Sequence, residues 1–122
     1  KIIAAINNLS AIGDTTLFDA IGDGAALLTE TSLPATANAM VVLTDGQDTR
    51  SYRFNAATAM QEATANNATV FTIAYGGDAD EDTLERLAIQ ANGNFFEGDE
   101  ASIAAIYEEM SAAFGGSVGV GR

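Results

Sequence analysis

The chain has 122 residues, 48% of them hydrophobic, with six Phe, three Tyr and no Trp. That is one domain's length with enough apolar side chains for a packed core, so neither a second full domain nor general disorder is expected. Seventeen acidic residues face five cations (Lys1, Arg50, Arg53, Arg86 and Arg122), a net charge of −12, which argues against nucleic-acid or anionic-membrane partners for want of a basic stripe.

Cys and His are absent, so thiolate and imidazole chemistry are excluded, and any metal site or reaction must run on carboxylates, hydroxyls and those few cations. No apolar run approaches the roughly 20 residues of a membrane span, so no membrane insertion is expected. The chain opens on Lys1 without an initiator Met, which is expected of a piece of something longer.

In chain order, Ile2, Ile3, Ile6 and Leu9 recur at helical spacing, the pattern of an amphipathic helix over 1–9. Gly13 breaks it. Asp14, Thr15 and Thr16 then offer N-cap side chains for a helix over 16–28, with Asp19 suited to the positive end of its dipole. The polar stretch 29–38, with Pro34, reads as a loop. Ala39–Thr44 is a continuous apolar run of the kind that forms a parallel strand buried on both faces.

Asp45-Gly46 ends that run, and a helix over 54–65 follows, closed by Asn66-Asn67. Thr69–Tyr75 is a second strand, 80–91 a helix stopped by Asn92-Gly93, and 94–97 a short third strand. Asp99 is placed to cap a last helix over 100–114, with Ile103, Ile106, Tyr107, Met110 and Phe114 inward. One domain over 1–115 and a flexible glycine-rich tail over 116–122 are expected. Strands alternating with helices predict an α/β fold: a Rossmann-like parallel sheet flanked by helices.

In such sheets the functional crevice lies beyond the carboxyl ends of the strands. Those ends carry Asp45 with Asp48, Asp78 with Asp80, and Asp99. Taken singly, Asp48, Asp78, Asp80, Asp82 and Asp99 read as loop and cap carboxylates, and Arg50 and Arg53 as cations paired with nearby acids. Asp14 and Thr15 read as caps. Asp45-Gly46 reads either as a strand-terminating turn or as a site.

Gly13-Asp14-Thr15-Thr16-Leu17-Phe18-Asp19-Ala20 followed by Val41-Val42-Leu43-Thr44-Asp45-Gly46 resembles two blocks of the von Willebrand factor type A (vWA) domain. Phe71–Gly76, Gly93–Phe96 and Ile103–Tyr107 resemble its last two strands and last helix, so the resemblance spans about 1–115. It implies a vWA-like fold and a non-enzymatic protein-binding or adhesion module. In that family a Mg²⁺ ion, held by an Asp-x-Ser-x-Ser loop, a Thr and an Asp, receives a carboxylate from the protein ligand. The resemblance makes Thr15 that threonine and Asp45 that aspartate, and implies that their side chains meet at the crevice.

Asp-x-Ser-x-Ser occurs nowhere in the chain, so the resemblance also implies a domain truncated on its N-terminal side and an incomplete metal site. Mg²⁺ binding by this chain alone is expected to be weak or absent, because Mg²⁺ demands a near-ideal octahedron of oxygens. The open side of the Met40–Leu43 strand is expected to recruit a second copy, giving a homodimer, or the missing N-terminal half. The resemblance points to a bacterial protein in an extracytoplasmic or cell-surface setting. The alternatives are a divalent-metal enzyme built on Asp14, Asp19, Asp45 and Asp48, and an inert structural half-domain.

Overall fold

The computed structural model describes residues 1–10, 13–31 and 37–117. Its elements are α1 (Ile2–Asn7), α2 (Leu17–Thr31), β1 (Asn38–Thr44), α3 (Ala56–Ala65), β2 (Ala68–Tyr75), α4 (Glu81–Gln90), β3 (Phe95–Gly98) and α5 (Ile103–Ser117). The strands form a parallel sheet in the order β1-β2-β3, with Val41 opposite Phe71 and Ile73 opposite Phe96. This is the expected α/β architecture, a Rossmann-like parallel sheet flanked by helices.

Sequential strand order with right-handed crossovers puts α3 and α4 on one face of the sheet. α2 joins them there, and Ile21, Ala25, Val42, Met60, Val70, Leu84 and Leu87 close a single core. Inside it the fully buried Thr72 hydroxyl donates to the Leu84 carbonyl at 2.8 Å, tying β2 to α4 without an orphaned polar atom. The other face is covered by α5, whose Ile106 and Met110 pack on Phe71 and Ile73.

That cover does not extend across β1. Val41 and Leu43 are 45% and 46% exposed, so the expectation of a strand buried on both faces is corrected: β1 is buried on the α2 side, and on its other face Ala39 reaches the α5 cluster while Val41 and Leu43 stay about half exposed. A continuous apolar run reports that both faces are suited to burial, not that both are covered. The same distinction applies to α1. Its aliphatic stripe is present, yet none of its residues is buried, and Ile2, Ile3 and Ile6 are 77%, 75% and 58% exposed.

Helix ends differ from expectation in instructive ways. α2 runs on to Thr31, three residues beyond the expected end at Leu28, and residues 32–36 of the expected loop lie outside the described residues. α5 begins at Ile103, because the Asp99 carboxylate takes the amides of Ala101 and Ser102 and folds a turn ahead of the helix. It continues to Ser117; residues 118–122 of the expected tail lie outside the described residues. Asn67 and Asn92, with φ of 53° and 58°, end α3 and α4 in the left-handed region that Asn tolerates.

Candidate functional site

The loop after β1 opens with a turn closed by Thr44, whose hydroxyl donates to the Gly46 carbonyl at 3.1 Å and accepts from the Gly46 amide at 3.3 Å. The turn leaves Asp45 exposed at the carboxyl end of the strand. Residues 48–54 then run along the start of α2 and are bonded to it repeatedly. The Thr15 carbonyl accepts from the amides of Thr49 (2.9 Å) and Arg50 (3.0 Å), and the Thr15 amide donates to the Thr49 hydroxyl at 3.0 Å. Thr15 and Asp45 therefore belong to two segments that meet at one end of the sheet.

The N-terminus of α2 is capped from outside the helix. The Phe18 amide donates to the Asp48 carboxylate (3.2 Å) and the Asp19 amide to the Ser51 hydroxyl (3.0 Å). These are the amides that a local cap would take. The expectation that Asp14, Thr15 or Thr16 caps α2 is corrected accordingly. Asp14 instead pairs with Arg50 at 2.8 Å, an exposed pair that adds little stability.

Asp19 is the residue whose role the sequence hides most. It is 3% exposed, and its carboxylate accepts from the amides of Tyr52 (3.3 Å), Arg53 (3.0 Å) and Phe54 (2.9 Å). Burial alone would raise its pKa, but those amides and the Arg53 guanidinium more than offset it and hold the carboxyl below the usual range. Asp19 thus binds backbone rather than complementing a helix dipole in solvent. Arg53 reaches onward to grip Asp23 through its two terminal guanidinium nitrogens, at 2.7 and 2.6 Å. That contact lowers the Asp23 pKa.

Other strand-end acids act as caps. Asp80 takes the amide and hydroxyl of Thr83 at the start of α4 (3.2 and 2.8 Å). Hydrogen bonds from Ser102 are the main reason that Asp99 sits below its ordinary pKa. Asp78 and Asp82 are exposed. The Glu81–Glu97 pair escaped sequence reasoning: the charge of Glu97, at the end of β3, raises the pKa of Glu81 at the start of α4. Only the topology brings α4 and β3 side by side, so no local pattern signals the pair.

As a metal centre this donor set is incomplete. Among the described residues no group of three Asp or Glu side chains could hold an ion. Asp48 and Asp19 are committed to backbone amides. Thr15 and Asp45 would supply two oxygens where Mg²⁺ takes an octahedron, so these residues alone do not fit the ion.

The profile of the von Willebrand factor type A domain matches residues 1–109. The chain belongs to that family. vWA domains are in general protein-interaction modules rather than enzymes, and the expected fold and family are both borne out.

Among solved structures the vWA chain is similar to an uncharacterized membrane spanning protein from Vibrio fischeri, with TM-score 0.61 and 27% identity over 76% of this chain and 55% of that one. It also shares its fold with proximal thread matrix protein 1 from the mussel byssus, with TM-score 0.63 and 22% identity over 89% of this chain and 27% of that one. It therefore spans about half of the first and about a quarter of the second. Among curated proteins none matches it. No helix of the described residues is long and apolar enough to cross a membrane.

Proposed function

We propose that this vWA chain is a non-enzymatic binding module that docks a carboxylate-bearing protein ligand on the surface formed by residues 13–16 and 45–54. The observation that carries the reading is the stitching of those two segments: Thr15 to Thr49 and Arg50, and Asp19 to residues 52–54. A surface held in place before the ligand arrives loses little entropy when it binds. Within it Thr15 and Asp45 are the two oxygen donors proposed for a Mg²⁺ site of the adhesion type, which these residues leave incomplete.

Trace Mn²⁺, standing in for Mg²⁺ in an NMR titration, is expected to broaden the amides of Thr15, Asp45 and Gly46 first, without saturating at micromolar metal. Asp45→Ala should remove that selectivity. Broadening spread evenly over the acidic surface, or unchanged in Asp45→Ala, would overturn the assignment.

The enzyme reading built on Asp14, Asp19, Asp45 and Asp48 is weaker. Three of those four carboxylates are engaged, by Arg50, by the amides of residues 52–54, and by Phe18.

A second surface is proposed at β1. Among the described strands it pairs with β2 only, and Val41 and Leu43 project uncovered beside the open edge. An edge of this kind adds strands readily. We propose that it pairs with a second copy, or with a separate chain that completes the sheet. In sedimentation, the chain alone should self-associate at high micromolar concentration and Val41→Asp should be monomeric; a stable wild-type monomer would refute pairing between copies. An extracytoplasmic or cell-surface setting is also proposed, supported by the likeness to the membrane spanning protein from Vibrio fischeri.

A further inference from the structure

A groove of about 530 Å³ runs between α3 and α4, on the face of the sheet away from α5. Met60 and Leu87, nearly fully buried, belong to its apolar floor, and Gln61, Thr64, Arg86 and Gln90 supply its polar walls. None of its lining residues is acidic, although the chain carries 17 acids and a net charge of −12.

Arg86 is the cation within it. Its guanidinium makes only long contacts to neutral groups, 3.3 Å to the Asp82 carbonyl and 3.5 Å to the Thr83 hydroxyl. Arg50 and Arg53, by contrast, are both ion-paired, and Arg86 has no carboxylate within ion-pair distance among the described residues. An arginine without a counter-ion, beside an apolar floor in an acid-free groove, is complementary to a carboxylate carried next to aliphatic side chains. Gln61, Thr64 and Gln90 add neutral donors and acceptors along both walls. From Ala56 to Thr64 the groove follows α3 for about 12 Å, enough for two turns of a helix laid between two others.

We propose that the α3–α4 groove is a second protein-docking site, independent of the loops at the carboxyl end of the sheet, and that it receives an amphipathic acidic helix whose carboxylate pairs with Arg86. The probe is a short amidated peptide of repeating Leu-Glu-Ala-Ala units, with lysine in place of glutamate as control, titrated into isotopically labelled protein.

The acidic peptide should shift the amides of Met60, Thr64, Arg86 and Leu87 saturably, and the lysine peptide should not. Arg86→Gln should weaken binding by about five-fold or more, as expected for loss of a charge-assisted pair. Arg86 is exposed, so this variant should melt with the wild type. The proposal is overturned by equal binding of the lysine peptide, by wild-type affinity in Arg86→Gln, or by no saturable shifts at these residues. Shifts there that follow protein concentration without peptide would assign the groove to a second copy, and would also overturn it.

Discussion

Gly93→Ala is expected to unfold the domain or to cost more than about 3 kcal/mol, well beyond an average substitution. A β-carbon built at Gly93 would lie 1.8 Å from the Val70 carbonyl oxygen and 2.5 Å from its carbonyl carbon. Those are backbone atoms of β2, the middle strand, fixed by β1 on one side and β3 on the other. Gly93 cannot retreat easily either. Its amide donates to the Ala88 carbonyl at 2.9 Å, and Asn92 before it already sits at φ 58° to end α4. The chain must pass this close because α4 has to turn directly into β3. Thermal unfolding followed by circular dichroism checks it. Gly77→Ala, whose new methyl meets nothing within 4 Å, should melt within about 2 °C of wild type. A Gly93→Ala protein that also melts there would show that the α4–β3 connection is looser than described.

Asp19→Asn has the second largest expected effect, a melting temperature about 5–10 °C lower at neutral pH. The substitution keeps the shape but leaves one acceptor oxygen where the carboxylate had two, and turns an amide group with its own hydrogens toward the N–H groups of residues 52–54. It also removes the charge facing Arg53. The effect should depend on pH with a definite sign. The folded-state pKa of Asp19 lies below its ordinary 3.8, so its stabilisation is present above that value and is lost as pH falls through the lower, folded one. Wild type and variant should therefore converge in acid. Melting curves from pH 7 down to about pH 2 test this, and a gap that widens toward low pH would contradict the assignment of Asp19 as an ionised clasp. Asp45→Asn, on an exposed carboxylate, should leave the neutral melting temperature within about 2 °C.

The contrast between these aspartates explains what was legible in the sequence. Strand and helix positions are carried by local patterns: the apolar runs at 39–44 and 69–75, the breaks at Asn67 and Asn92, the cap at Asp80. Local patterns survive folding because they depend on neighbours along the chain. The resemblance through Gly13–Ala20 and Val41–Gly46 likewise rests on short contiguous blocks. The role of Asp19 depends on residues more than thirty positions away. At its own position it differs in nothing from an acid in the first turn of any helix. Asp48 and Ser51 cap α2 across a similar gap and displace the neighbours that a local reading prefers. The exposed face of β1 departs from its sequence pattern for the opposite reason: an apolar run describes what a face can bury against, and packing is decided elsewhere.

The capping of α2 by the loop beyond β1 also has a mechanical side. The helix cannot fray at its first turn unless the loop lifts away, and the loop cannot lift without giving up the cap, so both belong to one opening unit. Tension applied to Asp45 by a bound partner would be borne through Asp48 and Ser51 by the helix as a rigid rod. α2 is 15 residues long, so that rod carries displacement about 22 Å along the molecule, toward Thr31.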